Sequence, residues 1–219
     1  ELLVIFGMWL WENKRYGHAL LCIHGPIWGY KIGHQLKITW NDFVGVSGRI
    51  KPILQLPYKD DYRRPVVGTA LKYLELAKEI HNGPSTDRIY VNHRTGKPLS
   101  TSTLNRELQV HSTQFIGELV RKYDVSLNLK PLKSNAFEIA WALKNVERYN
   151  FSKKSFIAVS KHMGHRKLTD TIEMLGVEPY DNISFDFSGA DYNGTIDSNV
   201  LKNDSLLKSY IGYAFDLGN

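Results

Sequence analysis

Residues 159–171 read Val159-Ser160-Lys161-His162-Met163-Gly164-His165-Arg166-Lys167-Leu168-Thr169-Asp170-Thr171. Apolar residues at helical spacing lie on both sides of the Gly-His pair in this stretch. The pattern predicts one helix over residues 153–163 and a second helix over residues 168–175. A turn that carries Gly164 and His165 joins the two predicted helices.

The composition of the chain indicates a packed globular protein. Its 219 residues are enough for one substantial domain, or for a domain with a short appendage. Hydrophobic residues make up 42%, with 12 Tyr and five Trp among them, which argues against disorder. The single cysteine, Cys22, lies in an apolar run and is expected in the core. One cysteine excludes a disulfide framework and a Cys-based zinc site, and we expect no metal and no cofactor.

The charge balance is basic, with 28 Lys and Arg against 22 Asp and Glu and a net charge of +6. Such a surplus is compatible with a polyanionic partner, although many soluble enzymes share it. The apolar run at residues 2–11 is far shorter than the roughly 20 residues needed to span a bilayer. It also lacks the flanks of a signal peptide, so we expect a buried helix and no membrane partner. Because position 1 is Glu rather than Met, we expect a longer parent protein.

The hydrophobic pattern predicts an α/β chain that is mainly helical, with one small antiparallel sheet. A β-meander with a hairpin is expected over residues 40–68, and a short strand over residues 88–92. The predicted domain covers residues 1–176, and residues 177–219 form an extension. The further helices are expected over residues 1–38 with breaks at Gly17, at Gly25-Pro26 and at Gly29, over 69–81 with Thr69 as cap, from Ser100 or Thr101 to about 122, over 133–147, and over 199–215.

Several motifs, in matching order, resemble the catalytic domain of the tyrosine recombinases, the phage integrase family. Residues 29–43 look like box I, in which Gly-x-Arg-x-x-Glu opens a helix that ends in Leu-x-Trp-x-Asp. Residues 55–67 look like the hairpin that carries the catalytic lysine of the family. Residues 89–100 resemble the strand and turn before its long helix. Residues 130–133 stand where the family carries His-x-Leu-Arg, and Met163-Gly164-His165 completes the series.

The resemblance implies a site in which most catalytic positions carry another residue type. Lys59 and His165 keep the residue types of the catalytic lysine and of the Gly-His histidine. Met174, nine residues after His165, stands at the position of the nucleophilic tyrosine. Lysines replace the remaining three residues, namely the two arginines at Lys31 and Lys133 and the box II histidine at Lys130. A register shifted by one residue would place Ser134 at the second arginine.

These replacements change the chemistry that the site can perform. A thioether has no ionisable proton and cannot form a phosphotyrosine-like ester, so Met174 cannot act as the nucleophile. Lys31 and Lys133 keep a positive charge but lack the planar fork with which arginine holds a phosphate. Lys59 retains the capacity to act as a general acid, and His165 can donate to a phosphate oxygen.

Each position also has a plainer interpretation. Lys59 is equally explained as a solvated turn residue, and His165 as a capping or core residue. The lysines at 31, 130 and 133 are explained as exposed charges beside helix ends. Met174 has helical spacing with other apolar residues, as a core side chain would. A displaced nucleophile at Tyr180 is an alternative, and Tyr192 is a weaker one.

The resemblance implies that the partner is double-stranded DNA and that the protein acts in DNA integration or recombination. It implies action by binding, without strand cleavage, and a cytoplasmic location in association with DNA. One alternative is an active recombinase that uses Tyr180, and another is a protein-interaction scaffold that does not bind DNA. The last helix could mediate self-association or contact related subunits. Basic residues that would contact backbone phosphates are Arg63, Arg64, Arg94, Lys97, Lys161, Arg166 and Lys167.

Overall fold

The computed structural model describes residues 2–55, 63–84, 86–123, 131–177 and 179. These segments are mostly helical and contain one small antiparallel sheet, as the sequence predicted. None of the helices within them is long and apolar enough to cross a membrane. In chain order the elements are α1 (Leu2–Glu12), α2 (Tyr16–Trp28), α3 (Ile32–Gln35), α4 (Trp40–Phe43), β1 (Ile53–Gln55), β2 (Arg63–Pro65), α5 (Gly68–Ile80), α6 (Thr101–Tyr123), α7 (Asn135–Arg148), α8 (Lys153–Met163) and α9 (Leu168–Leu175).

The centre of the main hydrophobic core is helix α2, which is buried from Gly17 to Trp28. It packs against α1, α5 and α7. The apolar run at residues 2–11 forms α1, a mostly buried helix, as expected. The two helices approach closely at Gly7, where a Cβ would lie only 2.8 Å from Ile23 Cγ1. A glycine is therefore needed at this crossing.

A second, smaller hydrophobic cluster joins α7, α8 and α9. Its buried members include Trp141, Phe156 and Met163, and the half-buried side chains of α9 pack against them. This cluster positions the turn between α8 and α9. Both helices have the bounds that the apolar spacing predicted, and Gly164 ends α8 with a left-handed φ of 69°.

The predicted break at Gly25-Pro26 is wrong, because α2 continues through both residues and ends at Gly29. Pro26 lies in the last turn of α2 and removes one N–H donor from its hydrogen-bond ladder. Gly25 instead allows close packing, since a Cβ there would lie 2.7 Å from Phe137 Cβ on α7. The break predicted at Gly17 falls at residues 13–15, and Gly17 lies inside α2 against the backbone of Val91.

The predicted sheet is larger than the observed one. Strands β1 and β2 pair in antiparallel register, with Leu54 opposite Arg64. Residues 40–43 of the expected meander form α4, because Asp42 Oδ2 accepts hydrogen bonds from Thr39 N at 2.7 Å and Thr39 Oγ1 at 3.0 Å. Residues 88–92 make only isolated bridges, Thr39 with Arg88 and Val91 with Pro98, so the predicted strand is not formed.

The remaining predicted helices are close to the observed ones, with small shifts at their starts. Val67 rather than Thr69 is the N-cap of α5, and Thr69 is buried in its first turn. Helix α6 begins at Thr101, and α7 begins at Asn135, two residues later than predicted. The hairpin tip at residues 59–61 and the predicted last helix over residues 199–215 lie outside the described residues.

Candidate nucleic-acid interface

Lys31 lies beside the Gly-His turn, although the two are far apart in sequence. It is an exposed residue at the N-cap of α3. Its Nζ lies 3.6 Å from the position that a Cβ would take on Gly164. This separation is an ordinary contact distance, so the ammonium group lies against the Gly-His turn. Lys31 and the Gly-His turn therefore share one surface.

His165 is held in place by helix α9. Its Nδ1 lies 2.9 Å from Oγ1 of Thr171, a residue with no exposed surface. Within the described part of the chain Nε2 has no hydrogen-bond partner, and the side chain is half-buried. If the Thr171 hydroxyl donates to Nδ1, Nε2 carries the proton and can donate it to an anion at the surface.

A set of contacts that we call the Arg64 clamp joins three parts of the site. Arg64 Nε donates to Trp28 O at 2.8 Å, and Arg64 Nη1 donates to Arg63 O at 2.9 Å. Arg64 Nη2 lies 3.1 Å from His162 Nδ1, and His162 Nε2 lies 3.0 Å from Gly29 O. A neutral imidazole protonated at Nε2 satisfies both of its contacts. The clamp ties β2 to the end of α2 and to α8.

Aromatic rings surround this clamp. Trp141 of α7 packs on the His162 imidazole with ring centroids 4.1 Å apart. The Arg64 guanidinium carbon lies 5.6 Å from the Trp141 ring and 5.7 Å from the Tyr30 ring. Arg64, which the sequence suggested as a DNA contact, thus uses all three side-chain nitrogens within the protein. Its contacts join the end of α2, which precedes Lys31, to the helix that ends at the Gly-His turn.

Lys133 is exposed and lies two residues before α7. The start of α7 is near the start of α3, because Ile32 N donates to Glu138 Oε1 at 3.1 Å. The described contacts do not join Lys133 to Lys31 or to His165. Ser134, the alternative at the second arginine position, is buried, and its N donates to Asn105 Oδ1 at 2.8 Å.

Met174 is half-buried and packs against the second hydrophobic cluster. Its side chain thus has a structural role of the kind that its spacing with other apolar residues suggested. The other predicted chemical residues, Lys59, Lys130, Tyr180 and Tyr192, lie outside the described residues.

Exposed basic residues surround the turn that ends α8. Lys161 lies in the last turn of α8, and Arg166 and Lys167 follow His165. Arg63 is exposed on β2. Arg94 and Lys97 are exposed on a separate turn, where Asn92 Oδ1 accepts a hydrogen bond from Arg94 N at 3.0 Å. The predicted cations thus occupy the surface, with Arg64 as the exception.

Comparison with known proteins adds no relative to this picture. No protein-family model, no curated protein and no solved structure matches the chain. The described residues contain no group of three or more His, Cys, Asp or Glu side chains that could hold a metal ion. The chemistry of the site is thus that of an ammonium group, an imidazole and nearby surface cations.

The Arg64 clamp was missed by sequence reasoning. From the sequence, His162 and Trp141 receive no role, and Arg63 and Arg64 are both expected to contact backbone phosphates. The one available signal was the position of His162, two residues before Gly164 in the motif. A histidine at that position lies in the last turn of α8, so its ring is close to the residues that pack against that turn.

Proposed function

We propose that this chain is a tyrosine-recombinase-like protein that binds duplex DNA, acts in DNA integration or recombination, and does not cleave DNA strands itself. The observation that carries the proposal is the position of Lys31 Nζ beside Gly164, next to the anchored His165. These two positions correspond to phosphate-binding positions of the family that the sequence resembles. An ammonium group and an imidazole can donate to the oxygens of one backbone phosphate.

The surface cations around this turn support the same proposal. Lys161, Arg166 and Lys167 are exposed and lie within a few residues of His165. Contacts from such side chains to backbone phosphates supply affinity with little sequence preference. The net charge of +6 favours association with a polyanion.

The proposed lack of cleavage rests on Met174. A thioether cannot attack phosphorus and leave a stable ester, and this side chain packs against the second hydrophobic cluster. Lysine at the first arginine position also stabilises a phosphorane-like transition state less well than a bidentate guanidinium does. Binding therefore remains as the function of the surface.

Two double variants, one at each end of α8, test the proposal. Arg166→Gln with Lys167→Gln removes two charges beside the Gly-His turn, and Lys153→Gln with Lys154→Gln removes two exposed charges at the other end. Affinity for a generic 30-base-pair duplex is measured by fluorescence anisotropy at several salt concentrations. The first variant should bind about tenfold more weakly, and its slope of log K against log salt should be smaller by about 1.8.

The control variant should bind as the unmodified chain does. Equal loss in both variants would mean that only overall charge matters, and would contradict a site at the turn. Absence of binding at low salt would contradict the whole proposal. A nicked suicide duplex should give no covalent adduct, and an adduct abolished by Tyr180→Phe would establish the cleaving alternative instead.

A further inference from the structure

A pocket of about 290 Å³ opens between the start of α2, the turn after residue 91 and helix α6. We call it the Arg15 pocket. Its volume lies at the lower limit of the roughly 300–1,000 Å³ typical of pockets for drug-sized ligands, so it suits a small group. The charged and titratable residues of its lining are Arg15, His93, Arg94, Arg106, Glu107 and His111.

The charges that line this pocket do not balance. Arg15, Arg94 and Arg106 contribute three positive charges, and Glu107 contributes one negative charge. The Glu107 carboxylate already accepts from Asn92 Nδ2, with both oxygens at 3.2 Å, and it lies 2.8 Å from Nε2 of the buried His18. The carboxylate oxygens of Glu107 are therefore largely engaged by Asn92 and His18. Two positive charges remain without a counter-charge in the lining.

Two histidines of the pocket also have lowered pKa values. Burial lowers the pKa of His93, and the charges of Arg15 and Arg94 lower it further, while Glu107 acts in the opposite direction. Burial also lowers the pKa of His111, with Arg15 contributing in the same direction. Arg15 Nη1 lies against Nε2 of His93, with Nδ1 of the same ring at 3.2 Å, and in this contact the guanidinium can only donate.

We propose that the Arg15 pocket binds a phosphate monoester dianion. Guanidinium groups suit this ligand, because each can present two parallel N–H donors to phosphate oxygens. Asn92 and Thr95 add neutral polar groups to the lining. A divalent cation would face two unbalanced positive charges. Because the residues of this pocket are not those of the surface around Gly164, the proposal stands whether or not that surface binds DNA.

Two kinds of molecule carry such a group, a small phosphate compound and the phosphorylated end of a DNA strand. Isothermal titration with inorganic phosphate and with a 5′-mononucleotide tests the first source. A short duplex with and without a 5′-phosphate tests the second. A preference for the phosphorylated duplex with no binding of either small compound would assign the pocket to strand ends.

The variant Arg106→Gln should weaken phosphate binding by about tenfold or more, since a charge-assisted hydrogen bond contributes roughly 1.5–3 kcal/mol. Arg121→Gln, at the other end of α6, is the matched control and should bind within about twofold of the unmodified chain. Arg94→Gln, in an exposed turn, serves as a second test if Arg106→Gln fails to fold. A specific signature is a rise of the His93 and His111 pKa values on phosphate addition, followed by NMR. The proposal would be overturned if none of these phosphate probes bound the protein saturably. It would also be overturned if Arg106→Gln bound them as tightly as the unmodified chain does.

Discussion

Arg63 and Arg64 are neighbours in sequence with opposite roles in the structure. Arg63 is exposed on β2, whereas Arg64 is half-buried and donates to Trp28 O and to its own neighbour's carbonyl. Side-chain alternation along a strand explains why consecutive residues face different surroundings. Which of the two faces the protein depends on contacts with α2 and α8, which lie far away in sequence. The sequence could therefore identify the pair as basic but not assign the roles.

Arg64→Gln should destabilise the protein by about 2 kcal/mol, because it leaves the carbonyl of Trp28 and the ring of His162 without their charged donor. The measurement is urea unfolding at neutral pH. Arg63→Gln is the control and should change the free energy of unfolding by less than about 0.5 kcal/mol. If Arg64→Gln instead lowered only DNA affinity, the clamp would not have the structural role assigned to it.

Two buried histidines make stability depend on pH. Burial lowers the pKa of His24 from 6.5 to about 3, and burial together with nearby positive groups lowers that of His18 to about 4. His24 Nδ1 lies 3.0 Å from Tyr90 Oη inside the main core. Since both pKa values lie below the ordinary value, the unfolded chain binds more protons than the folded chain between these limits. The stabilisation is complete above pH 6.5 and is lost as pH falls toward 4 and then 3.

Each of these histidines should lower the free energy of unfolding by about 1 kcal/mol per pH unit between pH 6 and pH 5. Urea unfolding at several pH values measures this slope. His24→Gln should reduce the slope by one histidine's share, even if its stability at pH 7 is lower. An unchanged slope in this variant would show that His24 takes up its proton over the same pH range in the folded and unfolded chains.

At the scale of elements, the helices were predicted well and the sheet poorly. Helices α6, α8 and α9 carry regular apolar spacing within a single segment, so their bounds follow from local sequence. Residues 88–92 have the composition of a strand but make only isolated bridges, because pairing depends on partners elsewhere in the chain. The Gly25-Pro26 error has a similar origin, since the reason for Gly25 is a side chain on α7.

The contact of α2 with α7 at Gly25 gives a test at this scale. Gly25→Ala would place its Cβ 2.7 Å from Phe137 Cβ, so the helices must separate, and we expect a loss of about 1–3 kcal/mol. Gly33→Ala in α3 is the matched control, because a Cβ there meets nothing within 4 Å. Its stability should be unchanged or slightly higher, since alanine is the better helix former. Equal melting temperatures for the two variants would contradict the close packing.

Across the described residues, the hydrophobic core is divided into a large and a small cluster. The larger cluster contains α1, α2, α5 and α6, and the smaller one holds α8 and α9 onto α7. The sequence resemblance suggested the meeting of Lys31 with the Gly-His turn. It could not reveal the Arg64 clamp or the Arg15 pocket, since both are built from residues brought together only by tertiary packing. Lys59 and Lys130 of the predicted site lie outside the described residues.

We expect α8 and α9 to open at lower free energy than α2, because fewer buried apolar groups hold them. Hydrogen exchange followed by mass spectrometry should show faster exchange in residues 153–175 than in residues 16–28. Arg64→Gln should accelerate exchange in α8 while leaving α1 unaffected. Equal protection of both regions in the unmodified chain would mean that the two clusters unfold as one unit.

The stacking of Trp141 on His162 gives the molecule an internal optical probe. Indole emission is sensitive to an adjacent imidazole. The Trp141 indole lies against the His162 imidazole, which joins α8 to the end of α2. Separation of those elements would expose the indole to water and shift its emission to longer wavelength. The chain can thus report spectroscopically, without an added dye, whether its Gly-His turn is in place.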